Sequence, residues 1–153
     1  MYFCRPMFTH STQLRVRYAE TDQMGYVYYG NYATYFEVAR VEALRHLGIR
    51  YRDLEEQGIM MPVLELKCRY IKPARYDDQL TIKLMIRELP SVRIRFDYEL
   101  YNESGLLLNV GETTLFFVDM ATQKVVACPE PIFRALTPYF NAITSFPSPQ
   151  LTK

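Results

Sequence analysis

Asp22 stands where a carboxylate could do chemistry. It follows an alternating stretch, Leu14, Val16 and Tyr18 with Arg15, Arg17 and Glu20 between them, and it precedes a helical pattern that opens at Asn31. A carboxylate between a strand and a helix start can serve as general base or nucleophile on an electrophilic carbonyl. The first turn of that helix would aim free N–H groups and a partial positive charge back at the same spot, where they could hold an oxyanion. The plainer alternative is an Asp that caps its own turn, and spacing alone leans that way. Gly25 and Gly30 bracket Tyr26, Val27, Tyr28 and Tyr29. Two glycines let the backbone fold tightly enough for its N–H groups to approach a ligand, although turn geometry also accounts for both. Tyr29 carries the N–H nearest the expected helix start, and Asn31 suits the N-cap.

Other polar residues carry less. Glu37 and Arg40, like Glu42 and Arg45, are spaced i, i+3 and read first as solvated ion pairs. Glu37 also lies near the helix end that faces Asp22, which makes it a candidate helper. His46 would complement the dipole at the helix C-terminus, and His10 lies upstream of the first strand. With two histidines, a Ser-His-Asp or Cys-His site is hard to assemble, and no His/Cys/Asp group has metal-ligand spacing. Hydrolysis here would be driven by a carboxylate, with no metal and no organic cofactor. Lys67, Arg69, Lys72 and Arg75 form a basic series, either a solvated strand face or a dock for the phosphates of a bulky ligand.

The elements that would hold these residues are legible from periodicity. Tyr32, Tyr35, Phe36, Ala39, Ala43 and Leu47 recur at helical spacing, and Gly48 supplies a stop. A short helical piece over 51–57 precedes Gly58. Alternation then predicts strands over 64–70, 80–86 and 92–100, with a less strictly alternating one over 106–118. Asn102-Glu103-Ser104-Gly105 signals a hairpin, and a short helix is expected over 129–139. Residues 1–11 read as a flexible leader, 12–140 as one α+β domain and 141–153 as a Ser/Pro-rich flexible tail. One helix cannot cover so wide an antiparallel sheet unless the sheet curls, so its far face or its edge should pair with another subunit.

A chain of 153 residues fits one domain with a proper core. Its 18 basic and 17 acidic residues leave a net charge of +1, which gives no case for nucleic acid or an anionic membrane. No signal peptide and no run long enough for a membrane span is read. Cys4, Cys68 and Cys128 are odd in number and far apart, which points to a reduced, cytoplasmic setting. Thirteen Tyr and nine Phe with no Trp suggest a tightly packed interface or a pocket, since many hydroxyls need partners.

Residues 15–32, RVRYAETDQMGYVYYGNY, together with FEVAR at 36–40 and YIKPARYDD at 70–78, carry a resemblance that runs from about Leu14 to the neighbourhood of Pro131. The chain resembles the hotdog-fold acyl-CoA thioesterases of the 4-hydroxybenzoyl-CoA thioesterase type. The resemblance implies a long central helix wrapped by a curved antiparallel sheet of about five strands, in homodimers that pair sheets edge to edge or in homotetramers, with active sites at the subunit interface. It implies hydrolysis of an acyl-CoA thioester to free acid and CoA, with Asp22 as the catalytic carboxylate and the Tyr29 N–H polarising the carbonyl. It matches no second essential acid, so Glu37 stays the helper that its place in the helix suggests. Gly25, Val27, Tyr28, Asn31 and Tyr32 would line the substrate site, and Lys67, Arg69, Lys72 and Arg75 would meet the CoA phosphates. Many relatives in the bacterial cytoplasmic branch carry His where this chain has Tyr29, and others have Tyr. Where that His contributes, this chain does without it, which leaves the role of the Tyr29 hydroxyl open. The alternatives on the same fold are hydrolysis of acyl carrier protein thioesters and a non-catalytic acyl-CoA-binding or scaffold role.

Overall fold

Five alternating segments pair into a single antiparallel sheet, and one long helix lies on it. The computed structural model describes residues 5–141. Cys4 and nearly all of the expected tail lie outside the described residues. In chain order the elements are β1 (Phe8–Arg15), α1 (Tyr32–His46), α2 (Tyr51–Glu56), β2 (Ile59–Met60), β3 (Val63–Tyr70), β4 (Gln79–Ile86), β5 (Arg93–Tyr101), β6 (Leu107–Phe116), β7 (Val118–Asp119) and α3 (Glu130–Phe140). The sheet runs β1-β4-β5-β6-β3, and β2 pairs with β7 in a small ladder of its own. The expected α+β class and five-stranded sheet are found. The β2–β7 ladder was not foreseen, because two-residue strands leave no alternation to read.

Burial follows the period of two. Leu80, Ile82, Leu84 and Ile86 of β4 and Ile94, Phe96, Tyr98 and Leu100 of β5 are buried on one face. Against that face α1 sets Tyr32, Tyr35, Phe36, Ala39, Ala43 and Leu44. Close approach is possible because β6 has a glycine under the helix. A Cβ on Gly111 would stand 2.5 Å from the Phe36 ring, which instead stacks on Tyr98 at 4.2 Å between centroids. Arg40 departs from the expected ion pair with Glu37. It falls on the same inward stripe as Phe36 and Ala43, is buried, and donates to the Tyr98 hydroxyl at 3.2 Å, which also bonds Thr113 at 2.6 Å. The Glu42–Arg45 pair does form, at 3.4 Å.

The two edges of the sheet differ. β1 begins at Phe8, four residues before the expected strand start, so residues 8–11 of the expected leader are strand. The cause is a long-range contact: Phe8 is fully buried and meets Tyr139 of α3 edge-to-face at 4.9 Å. Two residues on, His10 stacks near His46 of α1 at 4.8 Å. At the opposite edge, β3 bonds β6 on one side, and Val63, Leu64, Leu66, Tyr70 and the following Ile71 are all exposed. An exposed apolar edge is what a sheet leaves for another strand or another subunit.

Candidate active site

The loop between β1 and α1 is fastened at its base by Glu20. The Glu20 carbonyl accepts the Tyr28 N–H at 2.9 Å and the Asn31 side-chain amide at 2.8 Å. Its carboxylate accepts the Arg17 N–H at 2.8 Å, the Arg17 guanidinium and the Tyr35 hydroxyl at 3.1 Å. Burial pushes the Glu20 carboxyl up, but these donors outweigh it and leave the group below the usual carboxylate range. Burial and the adjacent carboxylate push the Tyr35 phenol well above its ordinary value, so it remains a donor.

Within this loop Asp22 makes the turn that spacing favoured. Its Oδ1 accepts the N–H groups of Met24 and Tyr26 at 3.0 and 3.2 Å, and Gly25 closes the turn at φ +78°. Its other oxygen has no hydrogen-bond partner among the described residues. Asp22 also lines a cavity of about 260 Å³ together with Met24, Tyr26, Val27, Tyr29, Tyr32, Tyr70, Ile71, Lys72 and Pro73. The turn reading and the chemical reading are therefore compatible: one carboxylate oxygen is held and the other is available at an aromatic pocket.

Asn31 does not cap α1 as expected. A 3-10 turn over Tyr29–Asn31 precedes the helix, Asn31 is itself in a helical conformation, and its side chain is spent on the Glu20 carbonyl. The first free amides are thereby moved back to Tyr29 and Gly30, whose N–H groups have no acceptor among the described residues. Tyr28 folds its ring over Gly30, where a Cβ would stand 2.8 Å from it.

The remaining expected residues divide. Val27, Tyr29, Tyr32 and Lys72 reach the cavity with Asp22. Arg75 stands beside it, its guanidinium 5.0 Å over the Tyr26 ring in a cation–π contact. Lys67 and Arg69 do not join them. They line a separate depression of about 460 Å³ with Arg87, Asp97 and Glu112, and Lys67 is paired with Glu65 and Glu112. The reason is the strand period: side chains two apart share a face, and this is the face away from Tyr70. Glu37 is exposed on α1 and does not line the Asp22 cavity.

Tyr70 was missed. Alternation reads it as the next core residue of β3, yet it is half exposed and its hydroxyl donates to the Tyr29 carbonyl at 3.1 Å. Partial burial, with Cys68 and its tyrosine neighbours, pushes its phenol up to about 12, so it stays a donor. Its ring packs edge-on against Tyr32 and Tyr29. Met24, Ile71 and Pro73 complete the apolar wall. Among the described residues no group of three His, Cys, Asp or Glu could hold a metal ion, and no helix is long and apolar enough to cross a membrane.

Residues 16–136 match the family model described as the thioesterase-like superfamily. The chain is 32% identical over 120 residues to a putative acyl-CoA thioesterase, YneP, of Bacillus subtilis (strain 168), covering 78% of this chain and 87% of the relative. It is 33% identical over 119 residues to the acyl-CoA thioester hydrolase YbgC of Escherichia coli O6:H1, covering 78% and 89%. Among solved structures it superposes on the DHNA-CoA thioesterase from Staphylococcus aureus with a TM-score of 0.76 and 39% identity, covering 78% of this chain and 80% of that one.

Proposed function

This chain belongs to the thioesterase-like superfamily, and from that premise we propose that it hydrolyses acyl-CoA thioesters to the free acid and CoA. In this reading Asp22 works with its unbonded carboxylate oxygen, as nucleophile on the thioester carbonyl or as base on a water. The N–H groups of Tyr29 and Gly30 receive the charge that develops on the carbonyl oxygen. The observation that carries the reading is that Asp22 and Tyr29, seven positions apart, line one cavity whose other walls, Lys72 apart, are aromatic or aliphatic. A dry wall strengthens each electrostatic contact made inside it. The acyl group sits against Tyr26, Tyr32, Tyr70 and Ile71, and Lys72 and Arg75 at the rim meet the phosphates of CoA.

A second copy of the chain is the occupant we assign to the β3 edge, as a homodimer or a homotetramer. The exposed Val63, Leu64, Leu66, Tyr70 and Ile71 support this, since so many apolar side chains along one unpaired edge strand call for a cover. Glu37, exposed on α1 and absent from the cavity of its own chain, would then take its helper role only toward a second copy. Free Cys68 and Cys128 suit a reducing, cytoplasmic compartment.

The test is thiol release from a panel of short, long and aromatic acyl-CoAs by the wild type and by Asp22→Asn. Loss of a group that acts in the transition state lowers kcat by roughly 10²–10³-fold or more while the fold persists. Near-wild-type turnover by Asp22→Asn would remove Asp22 from the chemistry.

A further inference from the structure

We infer that Glu20 is a positioning residue that fixes the distance between Asp22 and the amides of Tyr29 and Gly30, with Tyr35 as its anchor on α1. The inference rests on the thioesterase reading of the same loop. Asp22 lies on the limb of the loop that leaves Glu20, and Tyr29 and Gly30 lie on the limb that returns to it. The two limbs meet at this one residue, which holds them with different groups. Its carbonyl takes the returning limb through the Tyr28 N–H at 2.9 Å and the Asn31 side-chain amide at 2.8 Å. Its carboxylate takes the Arg17 N–H at 2.8 Å on the entering side and the Tyr35 hydroxyl at 3.1 Å on the first turns of α1.

The arrangement closes a chain of contacts. Tyr35 is buried and cannot swing away from the core, so the carboxylate bonded to it is fixed relative to α1. The carbonyl of the same residue is then fixed as well, and with it the point at which the 3-10 turn over Tyr29–Asn31 begins. Asp22, two residues beyond Glu20, inherits the same frame through the bridge between Thr21 and Val27. The Glu20 side chain is only 12% exposed, whereas its ion-pair partner Arg17 is 78% exposed, so the Tyr35 and backbone contacts carry the positioning and the guanidinium is secondary. Glu20 does not line the cavity, which separates it from groups that touch the substrate.

The experiment compares Glu20→Ala, Glu20→Gln and Tyr35→Phe by amide hydrogen exchange over residues 21–31 and by acyl-CoA thiol release. Gln keeps an oxygen for the Arg17 N–H and the Tyr35 hydroxyl, and Phe keeps the buried ring. Glu20→Ala and Tyr35→Phe should speed exchange in the loop while the sheet stays protected. They should lower kcat by roughly tenfold with KM changed less than about twofold, as expected when reacting groups are misplaced rather than removed. Glu20→Gln should restore both readouts to near wild type. Unchanged loop exchange in Glu20→Ala and Tyr35→Phe overturns the inference, as does faster exchange with kcat intact. A KM effect alone would make Glu20 a substrate-binding group and overturns it too. If the wild type releases no thiol from any acyl-CoA, the thioesterase reading fails, and the exchange comparison still decides whether Glu20 holds the loop.

Discussion

The two edges of the sheet are made of similar numbers of residues and end in opposite states. β1 is sealed: Phe8 is capped by Tyr139 of α3, His10 lies against His46 of α1, and the outward positions Thr9, Ser11, Gln13 and Arg15 are polar. β3 is open, with apolar side chains in water. The candidate site lies beside the open edge, since Tyr70 and Ile71 are both cavity wall and edge. Under the pairing proposed for β3, a second copy covering the open edge would meet the candidate pocket as well, whereas a pocket next to the sealed edge would belong to a single chain.

The sharpest way to break this comparison is to charge each edge in turn. Leu66→Glu on β3 should leave the chain monomeric by light scattering and lower thiol release by about a hundredfold. The pairing proposed for that edge would bury the exposed Leu66 position, and an unpaired buried charge costs roughly 3–5 kcal/mol. Ser11→Glu on the outward side of β1 should change neither. Equal effects from the two substitutions would erase the distinction. A smaller effect is expected from Tyr70→Phe, which keeps the ring on the open edge and removes only the bond to the Tyr29 carbonyl. A neutral hydrogen bond contributes about 1 kcal/mol, so kcat should fall about fivefold with the oligomer unchanged. A silent Tyr70→Phe would leave the edge and the loop uncoupled.

The smallest effect belongs to the sealed edge and concerns pH. Burial first, then the His46 charge, hold His10 below its ordinary 6.5, against an opposing pull from Glu42. Because the folded value is depressed, the unfolded chain takes up a proton that the folded chain refuses. The contribution is therefore complete above about pH 6.5 and is lost as pH falls through the folded value. The thermal midpoint of the wild type should drop between about pH 7.5 and 5 more than that of His10→Gln, and parallel curves would show that this contact does not titrate.

Strands β3 to β6, and α1, were legible because alternation and helical spacing are local properties. What was not legible depended on partners far along the chain. Phe8, His10 and Thr12 share a face, but two of the three are polar, so only the contact with Tyr139 reveals the strand start. Arg40 looked like half of a surface pair because its partner, Tyr98, is 58 residues away. Glu20 escaped notice because half of its role is played by its carbonyl, which every residue type has. Tyr70 reaches Tyr29 across 41 residues. The basic series looked continuous in the sequence, and the strand period split it: Lys67 and Arg69 fall on the outer face, while Lys72 and Arg75 lie beyond the end of β3.

The Tyr70 hydroxyl joins a residue of the open edge to the Tyr29 carbonyl, in the 3-10 turn that carries the amides. Whatever orders β3 therefore also orders Tyr29. Under the pairing assigned to that edge, association and occupancy of the cavity are linked equilibria. A ligand that holds Tyr29 in place must tighten the assembly by the same factor by which assembly tightens the ligand. Dilution would then act on this enzyme as an inhibitor, and substrate as a glue.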